Sequence, residues 1–140
     1  PGHHPLFATG LNMFYDKPLF GHGPKLFRVL CGDPKFAYNE NSCSTHPHNI
    51  YIQILAEIGI FGLLFFIVMN ALIIFYSIKH IIYKFFYSKI IISDYQVCLI
   101  ACFFLSLWPL FPTQNLFNNW INIVFYLPVG FYLQTLNWNK

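Results

Sequence analysis

Polar and apolar positions divide the 140-residue chain near residue 50. Residues 1–49 mix Pro, Gly, Asn, Asp and Lys with short apolar patches, Pro5–Phe7, Leu11–Tyr15 and Leu26–Leu30, each too brief to cross a bilayer. Leu11, Phe14 and Tyr15 fit one face of a short helix stopped by Pro18, so this block predicts a loop region with short interfacial helices. Beyond it, polar residues nearly vanish. From Ile50 to Ile78 the only strongly polar side chains are Gln53, Glu57 and Asn70. At about 1.5 Å per residue this run exceeds a ~30 Å hydrocarbon core, so its first two turns protrude and the span proper begins near Ile58. A second candidate span runs from Tyr95 to Phe111, and a third from Trp120 to Leu136 with Pro128 as a tolerated kink. Trp108, Trp120 and Trp138 fall near the predicted ends, where indoles prefer the headgroup level.

The expected architecture is an all-α integral membrane protein, a periplasmic loop with short interfacial helices followed by three transmembrane helices. Its parts are the loop region 1–49, a first transmembrane helix 50–78, a cytoplasmic loop 79–94, a second helix 95–112, a short loop 113–119 and a third helix 120–137. Composition strengthens this picture. The chain is 56% hydrophobic and 21% aromatic but only 9% charged, where a soluble domain carries about a quarter charged residues. A net charge of +3 that is not gathered into a stripe argues against nucleic acid as a partner. The sequence opens on Pro1 and lacks a signal-peptide pattern, which suggests the C-terminal piece of a longer protein.

Charge sets the orientation. Lys79, Lys84 and Lys89 lie between the first two spans with His80, Lys140 ends the tail, and residues 113–119 carry no charge. The positive-inside rule therefore assigns 79–94 and the tail to the cytoplasm, and 1–49 and 113–119 to the outside. The 1–49 block, with Lys17, Lys25, Arg28 and Lys35 against Asp16, Asp33 and Glu40, is nearly balanced and raises no objection. In a bacterium that side is the periplasm. There Cys31 and Cys43, twelve positions apart, form a candidate disulfide worth roughly 2–4 kcal/mol. Cys98 and Cys102, spaced i, i+4 in an apolar run, read as packing residues.

The stretch HPHNIYIQILAEIGIFG, residues 46–62, carries the candidate chemistry. On a helix continuous from His48, Gly59 lies about 20° and Gly62 about 40° from the histidine, on one stripe. Small residues on a membrane helix let another backbone, a helix or a lipid chain approach closely. Helix packing explains the glycines as well as a lipid groove does. His48 in turn reads either as a site residue or as an interfacial group sharing a capping role with Asn49. Glu57 falls about 180° from His48 on the same wheel, so it is not expected to be its direct partner; a carboxylate just inside the membrane either marks function or reaches up to the interface. His3, His4, His22, His46 and His48 with Cys31 and Cys43 raise a metal reading, but no second pair has short ligand spacing and Pro47 constrains His46 and His48. No metal or cofactor is expected. In PLFGHGPKLFR, residues 18–28, Gly21 and Gly23 permit tight turns and Pro24 can open a short helix, leaving Lys25 and Arg28 for an anion.

Together these two segments resemble the periplasmic-loop-to-helix region of the O-antigen ligase and O-antigen polymerase superfamily. The ligase signature, His then Asn, Ser or Gln, nine residues, and Gly-x-x-Gly, is met by His48, Asn49, Gly59 and Gly62. The resemblance covers residues 5–66; Leu63 and Leu64 stand where ligases often carry threonines, which leaves ligase and polymerase both open. It implies a multi-pass glycosyltransferase of the bacterial inner membrane, active at the periplasmic face. Such enzymes take a glycan from undecaprenyl pyrophosphate and pass it to lipid A–core or to another lipid-linked glycan, or in related proteins to protein. His48 would be the base, Arg28 the partner of the leaving pyrophosphate with Lys25 in support, and His46 and Asn49 further substrate contacts. A reading from another class is a transporter or structural membrane subunit whose histidines bind metal or sense pH.

Overall fold

The computed structural model describes residues 3–108 and 113–137. Among them every regular element is helical: α1 His4–Asp16, α2 Phe27–Leu30, α3 Ile50–Tyr87, α4 Asp94–Ser106 and α5 Asn119–Asn137. Pro5 stands in the first turn of α1, where its missing N–H removes no helical bond. The helix buries Leu6, Thr9, Gly10 and Met13 against α3. Leu11, Phe14 and Tyr15 are not among its buried residues, and Tyr15 is 73% exposed. Those three aromatic and aliphatic positions match a helical period, but Gly10 decides the contact. A Cβ there would collide with Ile52, so only glycine lets the two helices come together.

Residues of the loop region build a small core of their own. Leu6, Met13, Phe27, Cys31 and Phe36 cluster with Ala56 of α3. Phe27 is fully buried, a gain of about 1.5–3 kcal/mol relative to exposure, and it anchors a helix of only four residues. A second cluster joins Ile50 and Ile54 of α3 to Phe103 and Leu107, with Val129 and Tyr132 of α5 packed against it. Tyr51 donates its hydroxyl hydrogen bond to Leu107 O (2.9 Å), tying the start of α3 to the end of α4.

Two features of α3 differ from the continuous helix expected from His48. The helix starts at Ile50, with Asn49 in an extended conformation as its N-cap (φ −144°, ψ 122°). It is also broken at Gly59 (φ 79°, ψ −166°), a region open essentially to glycine alone. The wheel that put His48, Gly59 and Gly62 on one stripe therefore does not apply. Backbone groups freed at the break find partners in residues 18–23. Ala56 O accepts from His22 N–H (3.0 Å) and Glu57 O from Gly23 N–H (2.8 Å). On the far side, Ile60 N–H donates to Pro18 O (2.8 Å) and Phe61 N–H to Leu19 O (3.5 Å). A Cβ on Gly59 would strike Leu19 O, and one on Gly21 (φ 65°) would strike the Glu57 carbonyl carbon. The two glycines are the point where two backbones touch.

The break separates two environments. Before it lie the buried Ile50, Gln53, Ile54, Ala56 and Glu57; beyond it, His80 is the one buried residue of α3 among the described residues. Phe61, Phe65, Val68, Phe75 and Phe85 are all more than half exposed. Of the described helices, α3 is the one long and apolar enough to cross a membrane, and its most apolar stretch is only 6% buried. The core helix of a soluble protein would be covered. α3 runs on to Tyr87, nine residues past Ile78, so the stretch expected to open the 79–94 loop is helical. α4 starts at Asp94 behind a capping box of Ser93 and Gln96. Residues 109–112, the end of the second expected span, and Trp138 fall outside the described residues.

Gly59→Ala should cost roughly 1–3 kcal/mol from backbone strain alone, with the clash against Leu19 O added. Gly62→Ala meets only the side chains of Ile58 and Ile54 on its own helix and should be milder. Apparent melting temperatures of the two purified variants in detergent check the order, and equal losses would contradict the break as described.

Candidate functional site

A cavity of about 390 Å³ opens where three separate stretches meet. Arg28 comes from α2; Thr45, His46 and His48 come from the turn before α3; Thr113, Gln114, Asn115 and Asn118 come from the segment before α5. Of the residues expected at a site, Arg28, His46 and His48 line this cavity, while Lys25 and Asn49 do not. Lys25 is exposed in the turn after Pro24 (φ 64°). Asn49 uses its side-chain oxygen to accept from Tyr51 N–H (3.0 Å) and Ile52 N–H (3.2 Å), satisfying orphan donors of the first turn of α3. Gly59 and Gly62 lie further along α3, at and beyond the break.

Local geometry explains how the imidazoles reach the cavity. His48 has φ 57°, the left-handed region that non-glycine residues adopt only at a cost. The turn takes its side chain off the course of α3, and its carbonyl accepts from Thr113 N–H (2.9 Å). His46, buried beside it, donates from Nε2 to Thr113 O (3.1 Å) and accepts at Nδ1 from the Thr45 hydroxyl (3.0 Å). A carbonyl can only accept, so these partners fix the neutral tautomer with its proton on Nε2. The His48 ring lies 4.1 Å from that of His46 and 4.8 Å from that of His3, centroid to centroid. Ser44 Oγ is 3.5 Å from His48 Nε2, too long for a firm bond.

These surroundings hold the imidazoles neutral. Burial pushes His46 below its ordinary value of 6.5 against the pull of the Thr113 carbonyl, and the charges of His48, Arg28 and His3 add to the depression. Burial lowers His48 likewise, with His3 adding to it. Arg28 is exposed, and among the described residues it has no carboxylate at ion-pairing distance; the two described ion pairs, His22 with Asp16 and Lys35 with Asp16, lie elsewhere. A guanidinium so placed is available to an incoming anion. The other wall is neutral. Thr113 Oγ1 is buried without a hydrogen-bond partner among the described residues, and the amides of Gln114 and Asn118 also line the space. This chemistry suits an anion and a hydroxyl-bearing ligand, with the neutral imidazoles of His46 and His48 in the same lining.

Sequence reasoning missed Thr45, Thr113, Gln114, Asn115 and Asn118. The one local signal was the density of amides and hydroxyls in 113–119, between apolar runs. Outside the cavity, Cys31 and Cys43 are joined as a disulfide with Cα atoms 4.8 Å apart. It links the end of α2, three residues after Arg28, to the segment leading into His46 and His48. His22 donates to Met13 O (3.0 Å) and takes no part in the cavity. Among the described residues no group of three or more His, Cys, Asp or Glu side chains is set to hold a metal ion.

Because the folded site resists protonation, the unfolded chain binds more protons as pH falls below 6.5. The two imidazoles thus stabilise fully above pH 6.5, and that contribution drains away as pH drops toward their folded values. NMR titration should give His48 a midpoint below 6.5, and His3→Ala should move it upward. A midpoint above 6.5 would contradict the burial. Reducing the disulfide should cost roughly 2–4 kcal/mol, read as a lower unfolding temperature with reductant that Cys31→Ala does not show.

The family model described as O-antigen ligase matches residues 4–67, from the start of α1 to just past the break in α3. Neither the curated proteins nor the solved structures hold a match to this chain.

Proposed function

Residues 4–67 match the family model described as O-antigen ligase, and on that similarity we propose that the chain belongs to a bacterial inner-membrane glycosyltransferase of the ligase or polymerase type. Its donor is a glycan on undecaprenyl pyrophosphate, and its acceptor is a hydroxyl of lipid A–core or of a second lipid-linked glycan. The observation that supports this reading most is the shared cavity: Arg28 and His48, twenty positions apart in sequence, line one space.

In the proposed reaction His48 takes the proton of the acceptor hydroxyl. The oxygen attacks the anomeric carbon, a new glycosidic C–O bond forms, and the bond to the pyrophosphate oxygen breaks. Undecaprenyl pyrophosphate leaves with the bonding pair, its charge met by the Arg28 guanidinium. The depressed basicity of His48 keeps the imidazole unprotonated at neutral pH, the state a base needs. Nothing in this scheme calls for a metal ion or other cofactor, because a cationic side chain meets the departing diphosphate. Lys25 lies outside the cavity lining, and the scheme assigns it no step.

The proposed topology has three membrane crossings. The cavity end, where 1–49 meets 113–119, faces the periplasm, and Lys79, Lys84 and Lys89 face the cytoplasm. Two supports are the lysine distribution and the hydrogen bonds that bring Thr113 to His46 and His48 at one end of the bundle. Cysteine labelling at Ser44 and Tyr87 from outside the membrane tests the sidedness, with only the first expected to react in a background free of other thiols.

His48→Ala in the full protein should lower transfer by 10²–10⁴-fold (roughly the worth of a general base) while membrane insertion persists. Arg28→Ala should chiefly weaken donor use, and Arg28→Lys should recover part of it. The surface glycans of a deletion strain identify the acceptor class. A single attached repeat without a ladder indicates a polymerase, and accumulated lipid-linked polymer with a bare core indicates a ligase. Wild-type glycans with the His48 variant would end the proposal.

A further inference from the structure

Glu57 is a buried ionisable group that the proposed reaction does not use. It is 1% exposed and does not line the cavity. Oε1 accepts from Phe27 N–H (2.8 Å), and Oε2 accepts from Gln53 Nε2 (3.1 Å). Gln53 is just as buried. The same nitrogen donates to Asn115 Oδ1 (2.8 Å), while Gln53 Oε1 accepts from Leu116 N–H (3.0 Å). Asn115 Oδ1 also accepts from Phe117 N–H (2.9 Å). One chain of contacts thus runs from the backbone of α2, through α3, to the segment carrying Thr113, Gln114 and Asn118.

The ends of that chain are the two walls of the cavity. Phe27, whose amide Glu57 holds, directly precedes Arg28. A four-residue helix has no stability of its own, so what orients Arg28 is the buried Phe27 ring, the clamped amide and the disulfide at Cys31. At the other end Asn115 and Leu116 set the neutral wall. The geometry points to Glu57, acting through Gln53 and Asn115, as the positioning residue that fixes Arg28 relative to the 113–118 wall. This role rests on the glycosyl-transfer reading above; Glu57 itself touches no substrate.

The pattern of donors makes the claim specific. Both carboxylate oxygens accept, and Gln53 has its own carbonyl committed to Leu116 N–H. Glu57→Gln keeps the shape but turns one acceptor into a donor facing the Gln53 NH₂. Flipping Gln53 only moves the conflict to Leu116 N–H. In full-length protein reconstituted with lipid-linked donor, Glu57→Gln should raise the donor KM on the order of 10–100-fold, as expected of a misplaced contact group. The acid midpoint of the rate profile, which His48 sets, should not move. Because the effect passes through Arg28, the double variant Arg28→Ala/Glu57→Gln should have the donor KM of Arg28→Ala alone.

Glu57→Asp keeps two acceptor oxygens but draws the carboxylate back from Phe27 N–H and Gln53 Nε2. It should raise the donor KM by less than Glu57→Gln, and it serves as the test where Glu57→Gln alone yields no folded protein. Additive KM effects, a shifted acid midpoint or an unchanged KM in the Glu57 variants would overturn the positioning role. Full activity in both His48→Ala and Arg28→Ala would instead overturn the transfer reading beneath it.

Discussion

The contact between Gly21 and Gly59 governs the rest of this structure. An α-helix interrupted inside an apolar run leaves donors and acceptors that lipid cannot satisfy, and their partners here come from the backbone of residues 18–23. The exchange works only because neither residue at the crossing has a side chain. It docks the whole loop region onto α3 through main-chain bonds, which depend on backbone approach and little on side-chain identity. The same break divides α3 into a buried first part and an exposed apolar second part.

Once the loop is docked, the positions of α2 and of the turn at His46–His48 follow. Phe27 drops into the core with Met13 and Ala56, its amide meets Glu57, and Cys31 is bonded to Cys43. A buried carboxylate is costly unless each oxygen is occupied, and both oxygens of Glu57 accept hydrogen bonds. The polar network is therefore a condition of the packing as well as a link between walls. Removing one member leaves its neighbours desolvated and unpaired, which costs more than the lost bond.

Much of the helical layout was legible in the sequence, and so were three residues that line the candidate cavity, Arg28, His46 and His48. The apolar run from Ile50, the glycine spacing and the turn-forming GHG are local patterns, and α3, α5 and the loop block lie close to where those patterns put them. The helix α1 and its end before Pro18 were legible in the sequence, whereas its contact with α3, set by the absence of a side chain at Gly10, was not. The break at Gly59 could not be read locally, since it exists only when residues 18–23 supply the replacement bonds. That error carried over to Glu57. A wheel continuous from His48 correctly kept the carboxylate away from the imidazole but gave no hint of its contact with Phe27. Thr113, Gln114 and Asn118 were missed because a neutral loop carries no charge pattern, and nothing in sequence spacing brings it to His48.

The electrostatics of the cavity bear on why one guanidinium can serve the proposed transfer. A diphosphate carries more negative charge than Arg28 alone neutralises, and among the described residues no carboxylate lines the space to add to it. The remaining stabilisation has to arise when charge moves. Before reaction His48 is neutral, held so by burial and by His3, and contributes little to binding the donor. When it accepts the acceptor's proton it becomes a cation in the cavity that Arg28 shares, at the moment the diphosphate gains its charge. Proton transfer and bond breaking then favour each other, and the attraction is strongest in the transition state, where an interaction accelerates a reaction. A lysine at position 48 would carry its charge from the outset and bind the ground state as well. The depressed basicity of the imidazole is thus what reserves that attraction for the reacting state.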